Sequence, residues 1–112
     1  MEDDFTMKFL DYKGNLMTAI EKDGKLCFVP NEICQVLGFN IEKLIQAQKS
    51  LEDDEKVTIY FKNTNGEMDS YTIINEFGVY TLIFQSPNKK EAKEFLRWIR
   101  REISRYENRY RL

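Results

Sequence analysis

Apolar residues first alternate along this chain and later recur at helical spacing, so it reads as strands followed by helices, with a second hairpin between two helical stretches. Phe5 to Tyr12 is rich in Phe, Met and Leu with partial alternation and stops at Lys13-Gly14-Asn15, a strand ending in a tight turn. Leu16 to Glu21 and Leu26 to Val29 flank Lys22-Asp23-Gly24-Lys25, where Asp-Gly supplies the positive φ angles of a two-residue hairpin. Three strands therefore open the domain. After Pro30-Asn31-Glu32 the period changes: Ile33, Val36 and Leu37 recur at helical spacing, and Gly38 stands where a helix C-terminus favours a left-handed residue.

Asn40 is placed to cap the next helix, with Lys43 rather than Glu at the capping-box position, and Ile41, Leu44, Ile45 and Gln48 set its period. The carboxylates Glu52-Asp53-Asp54-Glu55 end that helix. Val57 to Phe61 and Ser70 to Ile74 enclose Asn65-Gly66, a second hairpin signal with a longer loop. Asn75 then opens the final helical half, in which Val79, Leu82 and Ile83 repeat up to the Ser86-Pro87 break. Gly78 weakens that helix by about 1 kcal/mol relative to Ala. Asn88 with Glu91 three residues on makes a capping box for the last helix. The fold class that follows is α+β: small antiparallel β-hairpins or one sheet, packed with about four helices, the last long and basic. The pattern does not choose between one sheet and two separate hairpins.

On a wheel of about 100° per residue, Phe95, Leu96, Ile99, Ile103, Tyr106 and Tyr110 of the last helix fall within an arc of roughly 100°, the core face. Lys89, Lys90, Lys93, Arg97, Arg100, Arg101 and Arg111 share the neighbouring arc. Glu91, Glu94 and Glu102 lie on the other flank with Trp98, and Glu107 alone breaks the segregation.

Charge sharpens this picture. The formal net charge is -2, but residues 86–112 hold nine Lys and Arg against four Glu, a surplus of five, which leaves -7 on residues 1–85. A helix built for solubility mixes signs, because Glu and Lys four apart support one another. Stacked like charges repel, and an anionic partner, most commonly a polyphosphate backbone, relieves the repulsion. Two readings stay open at this point: a nucleic-acid surface, or a stripe covered by the acids of this chain or of a second subunit.

At 112 residues, 42% hydrophobic and 13% aromatic, the chain is expected to fold as a single domain over 1–112. With two cysteines and no His, neither a disulfide framework nor a metal cage is expected; Cys27 and Cys34 read as buried thiols of a reducing compartment. No stretch approaches the roughly 20 apolar residues of a membrane span. The start Met1-Glu2-Asp3-Asp4 lacks the basic and apolar regions of a secretory signal, so the expected location is cytoplasmic. The contiguous carboxylates at 52–55 lack the spaced ligands and Gly of a calcium loop and read as a solvated turn. Without His, a nucleophile dyad, a phosphate-binding Gly loop or a motif-placed carboxylate pair, neither enzyme activity nor a cofactor is expected.

Two stretches together resemble the Bro-N domain, the N-terminal module of viral BRO proteins and of many prophage antirepressors. The first is Cys27-Phe28-Val29-Pro30-Asn31-Glu32-Ile33-Cys34-Gln35-Val36-Leu37-Gly38-Phe39, similar to that family's strand running into a short helix that ends in Leu-Gly-aromatic. The second is Ile74-Asn75-Glu76-Phe77-Gly78-Val79-Tyr80-Thr81-Leu82-Ile83-Phe84-Gln85-Ser86, followed by Ala92-Lys93 and Phe95-Leu96-Arg97-Trp98-Ile99. It matches the family's Asn-Glu-x-Gly-x-Tyr-x-Leu-Ile helix and Phe-x-Arg-Trp helix in order and spacing. The resemblance covers about residues 5–103. Cys27 departs from an expected aromatic, and Glu32 stands where Asp is usual; a core or a cap absorbs such changes. Past Ile103 the family's Leu-Pro is replaced by Ser104-Arg105, and without proline the helix can run on. Family members often continue into a C-terminal domain, and an effector function housed there is expected to be absent.

The resemblance implies a DNA-binding or antirepressor role in phage, prophage or viral gene regulation. The expected DNA surface comprises Lys89, Lys90, Lys93, Arg97, Arg100, Arg101, Arg105 and Arg109, centred on Lys93, Arg97, Arg100 and Arg101. The rival class is a protein-binding antirepressor or inhibitor that captures a repressor or host protein, or a homodimer. Trp98, Tyr106 and Tyr110, with neighbouring Arg, have the composition of an interface hot spot for it.

Overall fold

A computed structural model describes residues 2–110, with side chains as far as Asn108. Its elements follow the order β1 (Thr6–Tyr12), β2 (Asn15–Lys22), β3 (Lys25–Phe28), α1 (Pro30–Val36), α2 (Ile41–Lys49), a 3-10 turn at Asp53–Glu55, β4 (Lys56–Lys62), β5 (Met68–Ile74), α3 (Glu76–Phe84) and α4 (Lys89–Tyr110). The strands form one antiparallel sheet in the order β1-β2-β3-β5-β4. The question the pattern left open is thus resolved by a single residue pair: Phe28 opposite Ile74 joins the two hairpin systems.

Turn chemistry sets the first hairpins. Lys13 and Gly14 have φ of 50° and 85°, Asp23 and Gly24 of 52° and 75°, the paired left-handed residues whose twist matches that of the flanking strands. Asparagine side chains start three helices: Asn40 Oδ1 accepts from Lys43 N–H at 2.8 Å, Asn75 Oδ1 from Gly78 N–H at 3.0 Å, and Asn88 serves α4 in the same way. The box read at Asn88 forms only in half. Asn88 Oδ1 accepts from Glu91 N–H at 3.1 Å, but the Glu91 carboxylate turns away to the Tyr12 hydroxyl at 3.3 Å.

Because strand side chains alternate, Tyr12, Met17, Ala19, Leu26, Phe28 and Ile74 point to the helices, where they pack with Ile33, Leu37, Val79, Leu82, Phe95, Ile99 and Ile103 as the main core. Ile20, Cys27, Ile59 and Ile73 face the other side as a smaller cluster. Both cysteines are free and buried. The inward face of α2 differs from the one the pattern suggested. Ile41 is 77% exposed and Ile45 48%, whereas Ala47 is buried. The side chains directed inward are Leu44 and Ala47, continued past the helix end by Leu51.

α3 crosses the sheet at very close range. A Cβ on Gly78 would meet the Ile74 Cβ at 2.8 Å and the Glu55 carbonyl oxygen at 3.1 Å, so glycine here trades helix propensity for contact. The carboxylate run at 52–55 caps its own turn: Glu52 N–H donates to Glu55 Oε1 at 2.8 Å, while Thr81 Oγ on α3 donates to Glu55 Oε2. Among the described residues no group of His, Cys, Asp and Glu is placed to hold a metal ion. No helix among them is long and apolar enough to cross a membrane.

Candidate nucleic-acid interface

The Ser86-Pro87 break lets α4 leave α3 at a new angle. Buried Ser86 fixes that corner, its hydroxyl donating to the Leu37 carbonyl at 3.0 Å. From Asn88 onward nothing in the sequence stops the helix, and it runs 22 residues. Ala92, Phe95, Ile99, Ile103 and Tyr106 are buried along one line, and Leu96 and Trp98 flank it half-buried. The apolar arc of the wheel is therefore the face that packs, and burying it fixes the direction of every charge on the helix.

Lys89, Lys90, Lys93, Arg97, Arg100, Arg101 and Arg105 are all exposed. At 1.5 Å per residue they form a ridge about 24 Å long. Arg97, Arg100, Arg101 and Arg105, with Ser104 between them, line an open concavity on the outside of the helix. Arg105 pairs with Glu102 at 3.2 Å, and Lys89 Nζ donates to the Phe84 carbonyl at 3.2 Å. Among the described residues, the salt bridges within 4 Å involve none of Lys90, Lys93, Arg97, Arg100 and Arg101. Of the acids at 52–55, Glu52 and Glu55 are engaged in their own cap, Glu55 also with Thr81, and Asp53 with Lys56 at 3.5 Å. Arg109 and Arg111 of the stripe lie outside the described side chains.

The acidic flank of α4 has a separate partner. Lys13, in the first hairpin turn, pairs with Glu94 and sits 3.8 Å from Glu91. The Lys13 bond holds the Glu94 carboxyl below the ordinary carboxylate range and raises the Lys13 ammonium above its own. Segregation of charge on α4 thus has two outcomes. Glu91 and Glu94 on one flank meet the Lys13 ammonium of the hairpin, while the other flank keeps its positive field in solvent, where it acts over a screening length of about 8 Å at physiological salt.

Of the rings read as a partner-binding group, Trp98 packs inward. Its ring centroid lies 5.0 Å from Tyr12 and 5.7 Å from Phe95. Tyr106 is 2% exposed, so its ring belongs to the core. Tyr110 lies outside the described side chains. A different apolar surface, which the sequence reading missed, borders the cationic ridge. Phe77 and Phe84 are 64% and 79% exposed, and Tyr80, Ile83, Phe84, Leu96 and Arg100 line a groove between α3 and α4. The signal was available, since α3 is apolar on all sides and offers no polar face to solvent. Tyr80 donates its hydroxyl to Glu76 at 2.7 Å and is pushed up to about 12, mainly by burial.

Residues 15–104 match the family model of the BRO family, N-terminal domain, or Bro-N. The chain belongs to this family. Bro-N domains occur in viral BRO proteins and phage antirepressors, a family of DNA-binding regulators and not of enzymes. No curated protein and no solved structure matches the chain. The matched span takes in all five strands but Thr6–Tyr12, and the ridge from Lys89 to Arg101, with Arg105 one residue beyond it.

Proposed function

We propose that this Bro-N domain is a transcriptional regulator of phage, prophage or viral origin, antirepressor-like, which holds DNA by its phosphate backbone through α4. The observation that carries this reading is the solvent-facing cationic ridge, with Arg97, Arg100 and Arg101 outside any salt bridge among the described residues and sharing one open concavity with Arg105, which Glu102 holds. Guanidinium groups match phosphate oxygens in a two-pronged geometry, and four in one place are suited to adjacent phosphates of a strand. Such contacts position a protein without reading sequence, so base recognition is not assigned to these residues.

Titration of a labelled duplex across a salt series tests it. With Lys93, Arg97, Arg100 and Arg101 each neutralising one phosphate, log K falls against log salt with a slope of about -3.6. The double variant Arg97→Glu, Arg101→Glu weakens binding to every sequence alike and flattens the slope by about 2. A salt-independent affinity, or no effect of the double variant, sinks the reading.

A second reading rests on the groove beside the ridge. Exposed Phe84 next to Arg100 has the make-up of a protein contact, as in an antirepressor or inhibitor that captures a repressor or host protein, or in a homodimer. Light scattering with and without duplex separates the two. A dimer indifferent to DNA and dissolved by Phe84→Ser favours the protein-binding reading.

A further inference from the structure

The face of the sheet turned away from the helices is not flat. β1 and β4 are its opposite edges, yet Asp3, three residues before β1, is bonded to Tyr60 of β4 in both directions. Asp3 N–H donates to the Tyr60 carbonyl at 2.9 Å, and Tyr60 N–H donates to Asp3 Oδ2 at 2.8 Å. Outer strands of a flat five-stranded sheet stand about 19 Å apart, whereas three residues of chain reach about 11 Å at most. The sheet must therefore curl until its edges nearly meet. Curling is easy here because the two hairpins share only the pair Phe28–Ile74 and can fold about it.

The curl encloses a cavity of about 360 Å³. Its wall is apolar, formed by Phe5, Met7, Ile59, Phe61, Tyr71 and Ile73, and Met7 and Tyr71 at 50% and 42% exposed leave it a mouth. Among the described residues one charged group lines it, Glu32 from the first turn of α1. β3 leaves its partner at Phe28, opposite Ala19, so Thr18 has no strand neighbour on that side. Glu32 fills the gap, accepting from Thr18 N–H at 2.7 Å and from Thr18 Oγ at 2.9 Å. Those bonds hold the carboxylate still and use one lone pair on each oxygen; each oxygen keeps another.

We propose that this cavity binds a small apolar molecule carrying a protonated amine, its body among Met7, Ile59, Phe61 and Tyr71 and its ammonium on Glu32. The volume lies within the range of small-molecule sites, about 300 to 1,000 Å³, and an apolar wall with one fixed polar anchor is their usual construction. A carboxylate within apolar walls repels an anion and favours a cation more strongly than it would in water. The site is on the opposite side of the sheet from α4 and is independent of the DNA reading.

The test uses the full chain with labelled Ile, Val and Thr methyl groups, followed by NMR as tryptamine, indole or indole-3-acetate is added. Tryptamine is expected to shift the methyls of Thr18, Ile20, Val29, Ile59 and Ile73, binding at least about tenfold more tightly than indole, because its charge-assisted bond to Glu32 has no counterpart there. Indole-3-acetate is expected to bind more weakly than indole. Glu32→Gln, whose amide can keep both bonds to Thr18, brings tryptamine down to the level of indole. Met7→Trp fills the mouth and removes both, with Ile74 and Ile99 methyls on the helix side unmoved. The proposal is overturned if the three probes bind alike, if shifts arise only on the helix side, or if Glu32→Gln leaves tryptamine unaffected. Methyls that ignore all probes overturn it as well, and a dimer that Met7→Trp makes monomeric would identify a second copy as the occupant.

Discussion

The ring of Tyr12, last residue of β1, lies 5.0 Å from the ring of Trp98 at the middle of α4, and 5.1 Å from Phe95 in an edge-on contact. Three aromatic rings thus fasten the cationic helix to the first hairpin. The Tyr12 hydroxyl and Lys13 add polar contacts to Glu91 and Glu94 beside them. The ridge faces solvent because the opposite side of its helix is clamped in this way.

Removing the clamp is expected to destabilise the domain without touching the ridge. Trp98→Ala loses two aromatic contacts of about 0.5 to 1.5 kcal/mol each besides buried area, for a total of about 3 kcal/mol. Urea unfolding followed by circular dichroism checks this, with a lowered midpoint and an unchanged slope. At temperatures where the variant stays folded, DNA affinity is expected to remain within about twofold of the parent, since Trp98 reaches no phosphate. A large loss of affinity with intact folding would place Trp98 in the interface instead.

Gly78→Ala sets two effects against each other. Alanine improves helix propensity by about 1 kcal/mol, but its Cβ would sit 2.8 Å from the Ile74 Cβ and 3.1 Å from a backbone oxygen. Neither neighbour is the tip of a flexible side chain, so α3 has to move off the sheet, and overpacking of this kind costs about 1 to 3 kcal/mol. A net loss is expected in thermal unfolding. A gain would mean that α3 has slack against β5.

Local chemistry was legible in the sequence, and long-range geometry was not. The Asp23-Gly24 turn, the Asn40 and Asn75 caps and the arcs of α4 each follow from residues within one or two turns of each other. Cys27, in place of the family's aromatic, is accepted by the small cluster of Ile20, Ile59 and Ile73. Three features needed the assembled fold. Glu32 stood out only as a change from the family's Asp that a core or a cap would absorb, but its carboxylate bonds Thr18, fourteen residues earlier. Glu91 read as half of a capping box, but Tyr12 claims its carboxylate. The curl of the sheet rests on Asp3 meeting Tyr60, a contact that no periodicity encodes.

Cys34 provides a pH test. Burial among apolar side chains pushes its thiol up to about 11, from the ordinary 9.0. Between those values the unfolded chain has released the proton and the folded chain retains it, so the folded state binds more protons. Stability is then fully present below pH 9 and falls as pH rises toward 11. Denaturant midpoints measured from pH 8 to 11 are expected to decline, and less steeply in Cys34→Ala. At pH 8 the native thiol is expected to react with iodoacetamide far more slowly than in the unfolded chain, because the thiolate is the reactive form. Equal rates would show that the site opens readily to solvent.

The flank of α4 offers a prediction of opposite sign to the charge reversals. Arg105 lines the same concavity as Arg97, Arg100 and Arg101, but Glu102 holds it at 3.2 Å. That pair is exposed on the arginine side and contributes little stability, of order 0.2 to 1 kcal/mol. Glu102→Gln releases the guanidinium and removes one negative charge from beside the ridge. Affinity for duplex DNA at low salt is expected to rise several-fold, and the salt slope to steepen by up to about 0.9, the value of one added phosphate contact. Duplex titrations at several salt concentrations measure both. If affinity is unchanged while Arg97→Glu still weakens binding, the DNA path ends before Arg105; if it falls, Glu102 itself orders the concavity that receives the phosphate.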